Sequence, residues 1–133
     1  MSKELHDTLE ICGCVELQKY MDKEIFNKNC EISNIGIFCK IPNTIVHSEN
    51  ILIMNCDKNF AYYWLSPGRF TNLKNIYLYS HFCEYDVLSR WNNKGVNMYL
   101  QKGYYDGYKS WTKEFQYIKS IDDVPDKIFN KSI

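Results

Sequence analysis

Four short apolar segments recur through the last two thirds of the chain. They begin at residues 51, 76, 96 and 115, so their starts lie 25, 20 and 19 residues apart. Each segment has the length of a buried strand. The spacing leaves room for a crossover connection between parallel neighbours. The pattern therefore predicts parallel strands over residues 51–54, 76–79, 96–100 and 115–118.

Helical patterns lie between and after these segments. Asp57 has the side chain of an N-cap and precedes an apolar run over residues 60–65. Residues 84–91 place apolar side chains at helical spacing. A final helix is predicted over residues 122–129, where a proline falls in the first turn.

The N-terminal part of the chain has a mixed pattern. Residues 7–10 have the form of a capping box, and apolar residues at 17, 20, 21 and 25 follow helical spacing. Residues 9–17 also alternate as in a strand, with Gly13 inside the run. We favour two helical pieces with a break near Gly13. A further strand is predicted over residues 33–39, before Pro42.

Together these elements predict one α/β domain over residues 1–133. In it, a helical N-terminal region (residues 1–30) packs on an α/β core (residues 31–133) made of a short parallel sheet with flanking helices. The alternative is a short solenoid resembling leucine-rich repeats, whose period is about 20–29 residues. We favour the first architecture because the segments lack the leucine and asparagine ladder of leucine-rich repeats.

Composition excludes several classes of protein. A hydrophobic fraction of 45% excludes intrinsic disorder, and a net charge of zero argues against general attraction to nucleic acids or anionic membranes. No segment approaches the ~20 apolar residues of a membrane span. The N-terminus lacks the pattern of a signal peptide, so we expect a protein that is not secreted and whose cysteines are reduced.

The carboxyl ends of parallel strands are the expected place for chemistry. Cys56 and His81 follow neighbouring predicted strands and could act as nucleophile and base, with Cys83 and Asp86 close in sequence to His81. Nucleotide-binding glycine motifs and a hydrolase nucleophile elbow are absent from the sequence. The alternative interpretation is that these cysteines are packing residues, and we favour it. We therefore assign no catalytic residue. If the protein is an enzyme, the four residues named above are the candidates.

Cofactor and metal sites have little support in the sequence. Cys12-x-Cys14 with His6 offers possible ligands, but no Cys-x-x-Cys pair of the kind found in structural zinc sites occurs. We therefore expect no metal and no cofactor.

An aromatic cluster near the C-terminal end predicts an interaction surface. Tyrosine and tryptophan are favoured at protein interfaces. An acidic residue within the cluster and the zero net charge make nucleic acid an unlikely partner, so we expect a protein partner or self-association without membrane contact. The cluster consists of Tyr104, Tyr105, Tyr108 and Trp111.

Residues 75–91 (NIYLYSHFCEYDVLSRW) and 99–105 (YLQKGYY) resemble uncharacterised proteins of large AT-rich DNA viruses of the giant-virus type. The resemblance covers about residues 70–120. It implies a virus-encoded protein found in the host cytoplasm or the virion, and it carries over no catalytic residue. The first hypothesis is a non-enzymatic protein that works by protein–protein interaction or as a virion-associated structural protein. The alternative is a small-molecule or nucleotide-processing enzyme with its site at the strand carboxyl ends.

Overall fold

The computed structural model describes residues 8–36, 38–79, 85–101, 103, 105–106 and 115–121. The described strands are β1 (Thr8–Cys12), β2 (Asn29–Ser33), β3 (Asn50–Met54), β4 (Asn75–Tyr79), β5 (Asn97–Leu100) and β6 (Ile118–Ser120). The described helices are α1 (Cys14–Gln18), α2 (Lys58–Trp64) and α3 (Tyr85–Asn93), with a 3₁₀ helix over Pro67–Arg69.

The strands form one parallel sheet in the order in which they occur along the chain. All five neighbouring pairs, from β1–β2 to β5–β6, are parallel. Each connection therefore advances by one strand in the same direction. The predicted α/β class with a parallel sheet is confirmed. The strand order is also the one that the solenoid alternative requires.

Both faces of the sheet carry buried side chains. Ile76 and Leu78 join the main core, in which tryptophans from α2 and α3 also pack. Tyr77 belongs to a second, smaller cluster on the opposite face, where its ring stacks on Tyr99 with centroids 5.0 Å apart. This division follows from the strand geometry, in which successive side chains point to opposite faces.

A ladder of asparagine side chains runs across the strand starts. Asn29, Asn50, Asn75 and Asn97 hold equivalent register positions. The side-chain amides of Asn50, Asn75 and Asn97 each donate to the Oδ1 atom of the asparagine on the preceding strand. The Nδ2–Oδ1 distances are 2.8, 2.8 and 3.1 Å. An amide both donates and accepts, so identical side chains can repeat this contact from strand to strand. The expectation that the segments lack an asparagine ladder is therefore wrong.

The prediction of a helical N-terminal region over residues 1–30 is not supported. Thr8–Cys12 form the edge strand β1, and Cys14–Gln18 form only a short helix. The period-two alternation of Leu9 and Ile11 was the correct signal, since Ile11 is buried in the core. Pairing with β2 supplies backbone hydrogen bonds along the segment, which outweighs its weak helical propensity.

Two predicted strands are displaced in the sequence. The strand expected over residues 33–39 lies at Asn29–Ser33, and the one expected over residues 115–118 lies at Ile118–Ser120. The apolar residues that suggested the first position include Ile35, which is buried outside the sheet. The apolar pattern alone does not separate this strand from the loop after it, because apolar loop residues also fill the core.

The two central helices agree with the sequence. The Oδ1 atom of Asp57 accepts the backbone N–H of Asn59 at 2.8 Å, as expected of an N-cap. Helix α3 buries Val87, Leu88 and Trp91 on one face. The indole N–H of Trp91 donates to the carbonyl oxygen of Leu65 at 3.0 Å and fixes α3 to the end of α2. The predicted helix over residues 122–129 lies outside the described residues.

Candidate functional site

Tight turns follow the first three strands at the carboxyl edge of the sheet. Gly13, Asn34 and Asn55 have φ angles of 87°, 58° and 54°. Glycine and asparagine are the residues that adopt this left-handed conformation most readily. The amide of Gly13 donates to the carbonyl of Ser33 at 2.8 Å, and that of Asn34 to Met54 at 3.2 Å. The chain therefore turns away from each of these strands within one residue.

The thiol of Cys56 is buried at this edge. It donates to the carbonyl oxygens of Ile32 and Met54 over Sγ–O distances of 3.7 and 3.5 Å. Burial raises its pKa to about 11, so the thiol is protonated at neutral pH and is a poor nucleophile. His81 and Cys83, its proposed partners, lie outside the described residues.

Asp86 lies exposed in the first turn of α3. Its Oδ2 atom accepts the hydroxyl of Tyr62 at 3.1 Å, and the guanidinium carbon of Arg90 lies 5.1 Å from the centre of the Tyr62 ring. Asp86 therefore helps to join α2 to α3 in this structure.

Three thiols come together beyond β1, β2 and β3. The thiols of Cys14 and Cys56 lie near enough to Cys39 to influence its pKa. Burial, followed by the contact with Cys14, raises the pKa of Cys39 to about 12. Sequence reasoning missed this group because its members lie 25 and 17 residues apart and carry no metal-like spacing. Only the stacking of successive connections brings them together.

The described ranges contain no group of three or more His, Cys, Asp or Glu side chains suited to holding a metal ion. Within the same ranges, no helix combines the length and the apolar character needed to cross a membrane.

Only one member of the predicted aromatic interaction surface can be placed. Tyr105 lies in a helical segment, is half-buried and packs against the main core. Its amide donates to the carbonyl of Gln101 at 2.9 Å. Tyr104, Tyr108 and Trp111 lie outside the described residues.

A further cavity lies at the opposite, amino edge of the sheet. It is an open groove of about 730 Å³, which we call the amino-edge groove. The residues before β2, β3 and β4 line it: Phe26, Asn27, Lys28, His47, Glu49, Thr71, Asn72, Leu73 and Lys74. Parallel bridges between Ile25, Val46 and Phe70 hold the three connections side by side. Sequence reasoning did not predict a site here, because it followed the carboxyl ends of the strands.

An aromatic stack forms one side of the amino-edge groove. The rings of Phe26 and His47 lie parallel within 7°, with centroids 4.2 Å apart. His47 Nδ1 lies 3.2 Å from the Thr71 hydroxyl, and its Nε2 lies 3.5 Å from a carboxylate oxygen of Glu24. Contacts on three sides thus position the imidazole, while Phe26 remains 67% exposed.

Alternating charges line the other side of the groove. The ammonium group of Lys74 lies 2.8 Å from a carboxylate oxygen of Glu49. The hydrogen bond from Lys74, with the positive charges of Lys74 and Lys28, lowers the pKa of Glu49. Backbone hydrogen bonds join the same three residues. The amide of Glu49 donates to the carbonyl of Lys28, and the amide of Lys74 donates to the carbonyl of Glu49.

The sequence is similar to a protein of a giant virus and to a family model. "Uncharacterized protein R849" of Acanthamoeba polyphaga mimivirus is 29% identical over 77 residues, which is 58% of this chain and 52% of that protein. The chain thus matches about half the length of this curated relative. No solved structure matches. The match confirms the resemblance to uncharacterised proteins of giant viruses.

A family model also matches residues 30–112, which run from β2 to beyond β5. The matched region includes α2, α3 and most residues that line the amino-edge groove. It accounts for more than half of the chain. The chain therefore belongs to DUF5845, a family of unknown function.

Proposed function

We propose that this protein is a non-enzymatic contact protein that binds an extended segment of another polypeptide in the amino-edge groove. The exposed ring of Phe26 carries the proposal. Stacking on His47 holds this ring in place, so little conformational freedom is lost when a partner covers it. Exposed aromatic side chains of this kind are common anchors of protein interfaces.

The groove suggests what the bound segment looks like. It crosses three successive connections of a parallel repeat, and repeat proteins use such extended surfaces to bind partners. Phe26 offers an apolar contact, Lys28 a cation, and Asn27 a donor and an acceptor for a peptide group. An apolar side chain followed closely by an acidic one fits this order of groups.

Assembly into a virus particle forms the second part of the proposal. The similarity to a mimivirus protein supports a viral setting. A mass-spectrometric inventory of particles purified from the source virus would test it, and absence of the chain from particles would contradict it.

The enzyme alternative has less physical support. It requires reactive groups at the carboxyl ends, where Cys56 is buried and protonated and Asp86 is bound to Tyr62. We therefore place function at the amino edge.

Selection from a displayed library of random peptides tests the binding proposal. Peptides that bind the wild-type protein should pair an apolar with an acidic residue. Phe26→Ala should weaken their binding at least tenfold, which corresponds to about 1.4 kcal/mol. Phe38→Ala is the matched control, because Phe38 is 97% exposed and lies outside the groove. Failure to enrich any peptide, or equal binding to both variants, would overturn the proposal.

A further inference from the structure

The second face of the sheet, which carries Leu52, Tyr77 and Tyr99, is buried although the described helices pack elsewhere. These three side chains are only 1%, 4% and 4% exposed. Helices α1, α2 and α3 place their buried residues in the main core, on the opposite face. The cluster on the second face consists of strand residues and Ile121. Parallel sheets are almost always covered on both faces, so a further layer must shield these side chains from water.

Ile121 leads the chain onto the second face. It directly follows β6 and packs against the cluster there. Residues 122–133, which we call the C-terminal segment, come after it in the sequence and lie outside the described residues. We propose that the C-terminal segment docks on the second face and crosses it from β6 towards β1.

The charges of the second face change sign from one end to the other. One row of register partners crosses all six strands on this face. Its members, from β1 to β6, are Glu10, Glu31, Leu52, Tyr77, Tyr99 and Lys119. The row is therefore acidic at β1 and β2, apolar from β3 to β5 and basic at β6.

The C-terminal segment carries the complementary order of side chains. Asp122 and Asp123 come first, close to the basic end of the row at β6. The apolar pair Ile128 and Phe129 follows, and Lys131 comes after it. A segment that crosses from β6 towards β1 thus brings opposite charges together at both ends of the row and apolar side chains together between them.

The C-terminal segment is long enough for this path. The predicted helix over residues 122–129 would be about 12 Å long. Extended chain over residues 130–133 adds about 13 Å. Neighbouring strands lie about 4.8 Å apart, so the path from β6 to β2 measures about 19 Å. The segment can therefore bring Lys131 to Glu31, and a face that it occupies is closed to other polypeptides until it leaves.

Zero-length crosslinking of the full chain tests the proposal. A carbodiimide joins carboxylates to amines that touch them, and mass spectrometry of the digest identifies the joined residues. We expect a lysine of the C-terminal segment to be linked to Glu10 or Glu31. Lys74 is the internal control, because its ammonium group lies 2.8 Å from a carboxylate oxygen of Glu49. A control link without any link from the C-terminal segment to the two glutamates would overturn the proposal.

Isotope mixing separates docking within one chain from contact between copies. Equal amounts of isotope-labelled and unlabelled protein are combined before the crosslinker is added. We expect each link to join peptides of the same isotope, because the segment covers its own sheet. Links that join labelled to unlabelled peptides would show that the segment covers a second copy, and would overturn the proposal.

Tyrosine nitration tests the cover itself. In the wild type, Tyr77 and Tyr99 should react slowly with tetranitromethane, whereas Tyr63, which is 60% exposed, should react readily. Phe129→Ala should speed nitration of the two buried rings about tenfold or more, since a loss of about 1.4 kcal/mol of docking raises the undocked population tenfold. Phe38→Ala is the matched control, because this aromatic side chain is already 97% exposed.

Unchanged protection of both rings in the folded Phe129 variant would overturn the proposal. Circular dichroism checks that this variant is folded. If it is not, the crosslinks of the wild-type chain decide the question.

Discussion

The two edges of the sheet are built in opposite ways. At the carboxyl edge, left-handed residues turn the chain at once after the first three strands and the nearby thiols pack inward. At the amino edge, the connections lie side by side above the asparagine ladder and leave an open groove. In open α/β sheets, ligands bind at the carboxyl ends where the strand order reverses. No reversal occurs among these six strands, so the crevice on which that rule depends is missing.

The asparagine ladder lies at the strand starts, next to the residues that line the amino-edge groove. Asn50 is buried and bonded to amides on both sides, whereas the equivalent contact at the carboxyl edge, between Asn55 and Asn34, is exposed. A buried hydrogen bond is expensive to break, because the group left behind has no water to replace its partner. The two edges should therefore respond differently to the loss of one amide.

The largest effect should come from the core that both edges share. Leu78→Ala removes a fully buried side chain and should lower the free energy of unfolding by about 2–5 kcal/mol. Chemical denaturation measures this loss. Val15→Ala, at a position 83% exposed, should change it little. An unchanged denaturation midpoint for Leu78→Ala would show that the side chain is not part of the core that both edges share.

A comparison of two asparagines tests the difference between the edges directly. Asn50→Ala leaves the Oδ1 atom of Asn29 and the Nδ2 group of Asn75 without their ladder partner, at a cost of about 1–3 kcal/mol. Asn55→Gly keeps the left-handed turn and removes only an exposed contact, so its cost should stay below about 1 kcal/mol. Equal losses in thermal unfolding would contradict the comparison.

The smallest effect concerns the charges along the groove. The pKa of Glu49 is lowered in the folded state, so its ion pair stabilises the protein above the unfolded pKa of about 4.3. This contribution should disappear as the pH falls from that value through the folded pKa. Both side chains are partly exposed, so the effect should not exceed about 1 kcal/mol.

Unfolding of the wild type and of Glu49→Gln across pH 3–6 measures this effect. The difference between them should shrink on acidification. The double variant with Lys74→Gln isolates the pair. A difference that grows at low pH would have the wrong sign.

Some elements of the fold could be predicted because their signal is local. The apolar segments at residues 51–54 and 76–79 became β3 and β4 within one residue of the predicted starts. The N-cap Asp57 and the amphipathic pattern of α3 also depend on nearby residues only. Strand β1 was missed because five residues fit a strand and a helix almost equally, and only pairing with β2 decides between them.

The sequence by itself determined which segments are buried, where the central helices lie and on which side of β4 the leucine and tyrosine side chains point. Only the tertiary structure decided what the polar residues do. Single asparagines spaced 21, 25 and 22 residues apart carry no signal until parallel register stacks them. The amino-edge groove arises in the same way. Hydrophobic periodicity is a property of neighbours along the chain, whereas these sites depend on contacts between successive connections.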